Sequence, residues 1–365
     1  MADDRNRAAL LDLLSADELP VPPHWTSKMR QAAVSLMWRD LQGKSSDRGD
    51  FATRWLTGLD PTAPSPQSSM EEAAAEFARK LPNLRKVDAL IICPLIKELN
   101  PASLVFDFDP FSDEHDNLDG HKIFYVGLTR PNRNPMTLAI SVLTKARNVN
   151  AALATFKLLL ALRFSPEVVI LSGIGGGVRD KVALGDVVIA NRVIDVASRR
   201  LQPVQDALRD DEYPLNPQLL RLLSHLPARL MKRDRWRERM HENVARIRSA
   251  EHLLPDQNAI SSAQFKVTEG IIVAGEDLVA DGSLPEHLEV TDDRVRACDM
   301  EGSGFAQAAE ECRIPWTIFR GISDFGEEDK SDEWQAMAAF AAAMAARRFL
   351  EAEFRLASEI QMLRF

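Results

Sequence analysis

The sequence predicts an α/β fold in which a mixed central sheet is flanked by helices and preceded by a small N-terminal helical domain. Two observations carry this. Runs of β-branched and aromatic residues recur from residue 87 onward, and amphipathic helical patterns alternate with them. Strands that are apolar along their whole length, set between amphipathic helices, are what a sheet covered on both faces requires. A chain of 365 residues, 45% hydrophobic and 27% charged, has the size and balance for one large globular domain plus an appendage.

Residues 1–59 read as short helices, one through Leu14, one across 27–42 and one across 50–58. Three of the six tryptophans (Trp25, Trp38 and Trp55) fall here, which gives this segment a small core of its own. The Pro- and Ser-rich stretch 60–69 reads as a linker, and a helix follows at 70–80. Strands are expected at 87–93, 123–128, 137–144, 167–172, 186–194, 267–274 and 315–322, and helices at 149–163, 301–312 and 332–352. The expected division is a region 1–80 that serves as adaptor or oligomerisation element and a domain 85–355 with a polar helical insertion near 200–263. The acidic stretch 107–119 lacks the glycine and terminal glutamate of a calcium loop, so it reads as a solvated hairpin loop.

Composition excludes several classes. The apolar run 151–162 is broken by Lys157 and is too short to span a bilayer, so no membrane association is expected. The charged N-terminus has no apolar segment ending in a cleavage site. Three widely spaced cysteines (Cys93, Cys298 and Cys312) suit a reducing cytoplasm and form neither a disulfide framework nor a metal motif. No metal or cofactor is expected. A formal charge of −9 argues against nucleic acid as a partner. It leaves room for local basic patches, at Lys145–Arg147 and around Lys232–Arg239.

Three clusters can carry chemistry. Gly173, Gly175, Gly176 and Gly177 follow a strand, but the next strand comes too soon for the helix of a dinucleotide fold. They read either as backbone passing close to a ligand or as a tight strand connection. Met300 and Glu301 sit at the start of a helix, where the N-terminal dipole keeps a carboxylate ionised and able to accept two hydrogen bonds from a diol. Without a ligand, Glu301 is an ordinary first-turn charge. Arg320, Ser323 and Asp324 end a strand, the place where open α/β sheets bind ligands. Asp324 is therefore a candidate acid, or else a turn residue.

These clusters, in this order, resemble the superfamily of nucleoside phosphorylases and nucleosidases. The resemblance runs through VDALIICPLIKE (87–98), VNAALATFKLLL (149–160), VVILSGIGGGV (168–178), GIIVAGEDLVAD (270–281) and DMEGSGFAQAAEECRIPWTIFRGISD (299–324). It implies that Asp324 protonates a purine at N7 and makes the base a neutral leaving group; in a partly desolvated pocket a carboxylic acid can hold that proton at neutral pH. It implies that Met300 and Glu301 hold the ribose, that Glu98 activates the attacking water, that Arg320 orients the acid or forms a structural ion pair, and that Gly173, Gly175, Gly176 and Ser323 lie against substrate. It also implies a homo-oligomer.

Two departures sharpen the expectation. Where nucleosidases usually carry two glycines before the first long helix, this chain carries Lys145 and Arg147. Cations beside a helix N-terminus suit a 5′-phosphorylated nucleotide, or else both side chains point to solvent. Leu278 replaces an aromatic residue that often stacks on the base. The stretch 93–98 has no phosphate-loop glycine and carries Glu98, which favours water over phosphate as nucleophile. The C-terminal run with Lys330, Trp334 and Gln335 and its alanine-rich helix resembles the phosphorylase-like effector domains of bacterial antiphage defence systems. The expected activity is thus release of a base, adenine foremost, from a nucleotide such as ATP, with a defence-system sensor reached through 1–80 as a possible partner. Two alternatives stand beside it: a housekeeping nucleosidase or phosphorylase for neutral nucleosides, and a nucleotide sensor without catalysis.

Overall fold

A computed structural model describes residues 86–118, 120–143, 147–161, 166–196, 211–251, 253–275, 292–326 and 332–356. The expected helices and linker of residues 1–80, together with Lys145, Leu278 and Lys330, lie outside the described residues. The chain divides into two compact units, Met1–Lys86 with Phe156–Ser165 and Val87–Thr155 with Pro166–Phe365. The second is described here.

In chain order the elements are β1 (Ala89–Cys93), α1 (Ile96–Phe106), β2 (Asp116–Leu118), β3 (His121–Leu128), β4 (Met136–Val142), α2 (Asn148–Ala161), β5 (Val168–Gly177), β6 (Val187–Asp195) and β7 (Asp211–Pro214). There follow α3 (Pro217–Lys232), α4 (Trp236–Ala250), α5 (Gln257–Ser262), β8 (Val267–Ala274), β9 (Val295–Asp299), α6 (Gly302–Glu311), β10 (Trp316–Asp324), a 3-10 turn (Asp332–Trp334) and α7 (Gln335–Ala352). All the described strands join one mixed sheet in the order β10-β6-β8-β9-β5-β1-β4-β3-β2, with β7 on β6. Because β10 also pairs with β5, the strands β5, β10, β6, β8 and β9 close on themselves.

The interior follows from the strand pattern. Ala89, Leu90, Ile91, Ile92 and Cys93 are all buried, as a strand covered on both faces demands. Such a run is worth about 1.5–3 kcal/mol for each large aliphatic side chain taken from water. The alanine-rich α7 packs on β10 and β5. A Cβ on Gly321 of β10 would lie 1.9 Å from the Ala338 carbonyl oxygen, so the helix and strand backbones touch, and small residues on both sides permit it.

The polar segment 200–263 does form helices where it is described. In α3, Leu219, Leu223, Leu226 and Leu230 form one buried stripe at helical spacing. Asn216 caps it through the Gln218 and Leu219 amides, and Pro217 occupies the first turn, where its missing N–H costs nothing. Helix α1 was not legible in the sequence, because Asn100-Pro101 reads as a turn. The end of the acidic stretch forms β2, which pairs antiparallel with β3, and Gly120 has φ +89°. Among the described residues no acidic, His or Cys cluster could hold a metal ion, and no helix is long and apolar enough to cross a membrane.

Candidate active site

The ends of β5, β9 and β10 and the starts of α1, α2 and α6 bring most of the candidate residues together. Arg320 is the centre and is fully buried. Its Nε donates to Asp299 Oδ2 at 2.8 Å, and its Nη2 reaches Asp299 Oδ2 at 2.7 Å and Glu301 Oε2 at 3.1 Å. Nη1 lies 4.0 Å from Glu98 Oε1 and has no hydrogen-bond partner among the described residues. One guanidinium therefore serves three buried carboxylates.

Glu98 is 2% exposed and sits in the first turn of α1. Its Oε2 accepts the Leu95 amide at 2.6 Å, the backward reach of a helix-capping glutamate. Its Oε1 accepts the Ile174 amide at 2.7 Å and so ties α1 to β5. Burial pushes its pKa up to about 7, against the lowering pull of Arg320 and those two amides.

Glu301 caps α6 but makes no capping bond with its side chain. Its Oε1 accepts the Arg147 amide at 3.2 Å, and Oε2 is held by Arg320. The helix dipole was expected to keep it ionised. Burial raises its pKa despite Arg320, with Asp299 adding repulsion. Met300 beside it is half-buried.

Asp324, the last residue of β10, is partly exposed. Its Oδ2 accepts the Ser323 hydroxyl at 2.9 Å and its Oδ1 the Gly326 amide at 2.8 Å. Ser323 lies at an irregularity in the β10–β5 register and is buried, its hydroxyl turned to Asp324. Arg320, expected to orient the acid or to form an ion pair, is bonded to Asp299 and Glu301. Ser323 and Gly326 both donate to Asp324.

The glycines belong to strand β5 rather than to a turn. Gly173 is in register with Arg320, and a Cβ there would lie 2.4 Å from Glu98 Oε1 and 2.7 Å from Arg320 Nη1. A Cβ at Gly175 would meet the Cys298 carbonyl at 2.8 Å, and one at Gly176 the Cys298 sulfur at 2.9 Å and Asp324 Oδ1 at 3.7 Å. These positions were expected to clear space for substrate. At Gly173 and Gly175 the cleared space is filled by the protein's own groups; only Gly176 is part-exposed.

Arg147 presents an exposed side chain at the N-terminus of α2. Its φ is +88°, in the region that favours glycine, which costs a long side chain about 1–3 kcal/mol. Next to it, the Asn148 Oδ1 accepts the Gly304 amide at 3.2 Å, and a Cβ on Gly304 would strike the Asn148 carbonyl, so α2 and α6 meet through a glycine.

Sequence reasoning passed over Asp299 and Asn148. Asp299 is the main partner of Arg320, and its Oδ1 also accepts the Gly302 amide at 2.9 Å. Its place in the Asp-Met-Glu-Gly run was the available signal.

The arrangement holds a partly exposed carboxylate at a strand end, a carboxylate at a helix start beside a half-buried methionine, and a buried carboxylate poised near neutrality. This equips it for acid–base chemistry on a polar ligand. A model of the phosphorylase superfamily matches residues 116–352. ATP nucleosidase Cap17 of Escherichia coli (strain KTE188) is 30% identical over 274 residues, which is 73% of this chain and 52% of that protein. The chain thus spans about half the length of that relative. The 5′-methylthioadenosine/S-adenosylhomocysteine nucleosidase of Shewanella halifaxensis is 26% identical over 186 residues, 50% of this chain and 66% of that protein. Among solved structures, futalosine hydrolase of Helicobacter pylori superposes with TM-score 0.53 at 16% identity over 73% of this chain and 97% of that one. The Neisseria meningitidis nucleosidase in complex with methylthio-immucillin-A gives 0.51 at 16% over 72% and 98%. At such identities these two show the fold alone.

Proposed function

The chain belongs to the phosphorylase superfamily, and we propose on that footing that it is an N-glycosidase releasing the base from a 5′-phosphorylated purine nucleotide such as ATP, with water as nucleophile. The observation that carries this reading is Glu98. Its Oε2 already occupies the Leu95 amide, a donor that an attacking phosphate would need, and its carboxylate would repel that phosphate. A small neutral water meets neither obstacle, and a buried carboxylate with a pKa of about 7 suits a general base at neutral pH. The 30% identity to an ATP nucleosidase supports the same reading.

In this mechanism Asp324 donates a proton to the purine as the bond to ribose breaks, and Ser323 and Gly326 hold its two oxygens in place. Met300 and Glu301 hold the sugar; the two carboxyl oxygens of Glu301 have lone pairs left after the Arg147 and Met300 amides and Arg320. Glu98 takes a proton from the attacking water. Arg147, with Lys145, takes the phosphates. A cation placed in a glycine's backbone region, at an energetic cost, supports a functional reason for that cation. We further assign the molecule to a cytoplasmic homo-oligomer acting as an antiphage defence effector, with residues 1–80 receiving the sensor.

The deciding assay incubates the purified chain with ATP, AMP, adenosine and methylthioadenosine, with and without inorganic phosphate. Adenine release from ATP in either condition is expected. Release from nucleosides alone, or only when phosphate is present, would overturn the proposal.

Two predictions follow the same site. Arg147→Gly relieves the backbone strain, so thermal stability holds or rises by about 1 kcal/mol once the added flexibility of glycine is discounted. The same variant loses a charge-assisted contact, so the KM for ATP rises about tenfold or more while that for adenosine stays put. A KM for ATP that does not move would remove Arg147 from the phosphate site. For pH, Glu98 acts only when ionised and its folded pKa is about 7, so turnover falls as pH drops through that value. In Glu98→Gln this acidic limb disappears, together with about 10²–10⁴-fold of the rate; a limb that persists in the variant would assign it to another group.

A further inference from the structure

A second basic surface lies away from this site. The run around Lys232–Arg239, left without a role above, places Arg239 on α4 at a cleft of about 350 Å³. Arg246 of the same helix and Arg347 and Arg348 of α7 line it too, with Phe340 and Met344 among the apolar residues of its wall. The cleft is at the opposite end of the sheet from Glu98. Its residue Val105 lies in the last turn of α1, and Thr129 and Pro131 follow Leu128 of β3, which pairs with Met136 at the start of β4. Strand β4 runs parallel to β1, whose other end leads to Glu98.

The carboxylates nearby do not balance the arginines. Arg246 pairs with Asp107 at 2.7 Å, Arg347 with Glu351 at 2.7 Å and Asp107 at 3.7 Å, and Arg348 with Asp234 at 2.7 Å and Glu351 at 2.6 Å. Four guanidiniums thus face three carboxylates, and the Arg239 guanidinium has no carboxylate partner among the described residues. The Arg246–Asp107 pair is exposed on both sides, so it yields to a competing anion at little cost. Clustered guanidiniums offer forked donors suited to phosphate oxygens, and the cleft volume lies in the range of small-molecule sites.

We propose that this cleft binds a small phosphorylated ligand, with its phosphates on Arg239 and Arg246 and any apolar part against Phe340 and Met344. The proposal does not depend on the activity assigned above. Its test is calorimetric titration of the full chain at low ionic strength with inorganic tripolyphosphate, carried out in an Arg147→Ala background that weakens the phosphate position of the active site. Binding is expected there, and adding Arg239→Ala and Arg246→Ala should weaken it at least tenfold. Both arginines are exposed at the cleft, so these variants fold, and circular dichroism verifies it. UTP binding tighter than tripolyphosphate would assign the apolar wall to a base, and equal binding would assign the site to phosphates alone. No binding to the Arg147→Ala chain, or binding untouched by the two further substitutions, would overturn the proposal.

Discussion

Asp324→Asn lowers base release by about 10²–10⁴-fold, the usual worth of a positioned general acid, and leaves the protein folded. The geometry explains both halves. Asp324 ends β10 with one oxygen on the Ser323 hydroxyl and the other on the Gly326 amide. Asparagine keeps one oxygen acceptor and exchanges the other for a donor, so one of these two bonds survives and the lost one costs about 1 kcal/mol. The strand itself is held by its pairing to β5 and β6 and by Arg320, none of which the change touches. An amide, however, has no acidic proton for the purine ring. Chromatographic quantification of adenine from ATP, beside a melting curve of the same sample, checks both statements. Undiminished turnover in a folded variant would mean that the acid lies elsewhere.

Arg320→Met has the largest expected effect on stability, about 3–5 kcal/mol. Methionine fills a similar volume but leaves Asp299, Glu301 and Glu98 buried around an apolar side chain, with their common counter-charge gone. The pH dependence gives the prediction its signature. Burial already raises Glu98 to about 7 and raises Glu301, while Arg320 lowers both. Without Arg320 both move further up. A carboxyl whose folded pKa exceeds its unfolded one contributes stability at low pH and loses it as pH rises through the folded value. The variant's urea midpoint should therefore climb as pH is lowered from 8 toward 6, more steeply than the parent's. A variant as stable as the parent at pH 8 would mean that the three carboxylates do not depend on the arginine.

The strands and the acidic and glycine clusters were legible because each leaves a local mark. Continuous apolar runs such as 89–93 announce a buried strand, and Asp324 stands out at the end of one. Other parts left no such mark. Strand β9, which delivers Asp299, Met300 and Glu301, is only five residues long and carries Arg296 and Asp299, so its apolar run is interrupted. Helix α1, which delivers Glu98, is masked by Pro101 and is stabilised from outside, by packing against α7 and by the bond from the Ile174 amide to Glu98.

By itself the sequence determined the α/β class, the longer apolar strands, the family resemblance and several of the residues that meet around Arg320, though not Asp299. Those follow from periodicity and from residue chemistry, which are local. Only the tertiary structure decided what each residue does there: that Arg320 gathers Asp299, Glu301 and Glu98, that Gly173 clears space for two side chains, and that Glu98 is held near neutrality. Desolvation and charge pairing depend on which groups the fold brings within a few ångströms. Arg320 lies 222 positions from Glu98 in the chain and 4.0 Å from it in space.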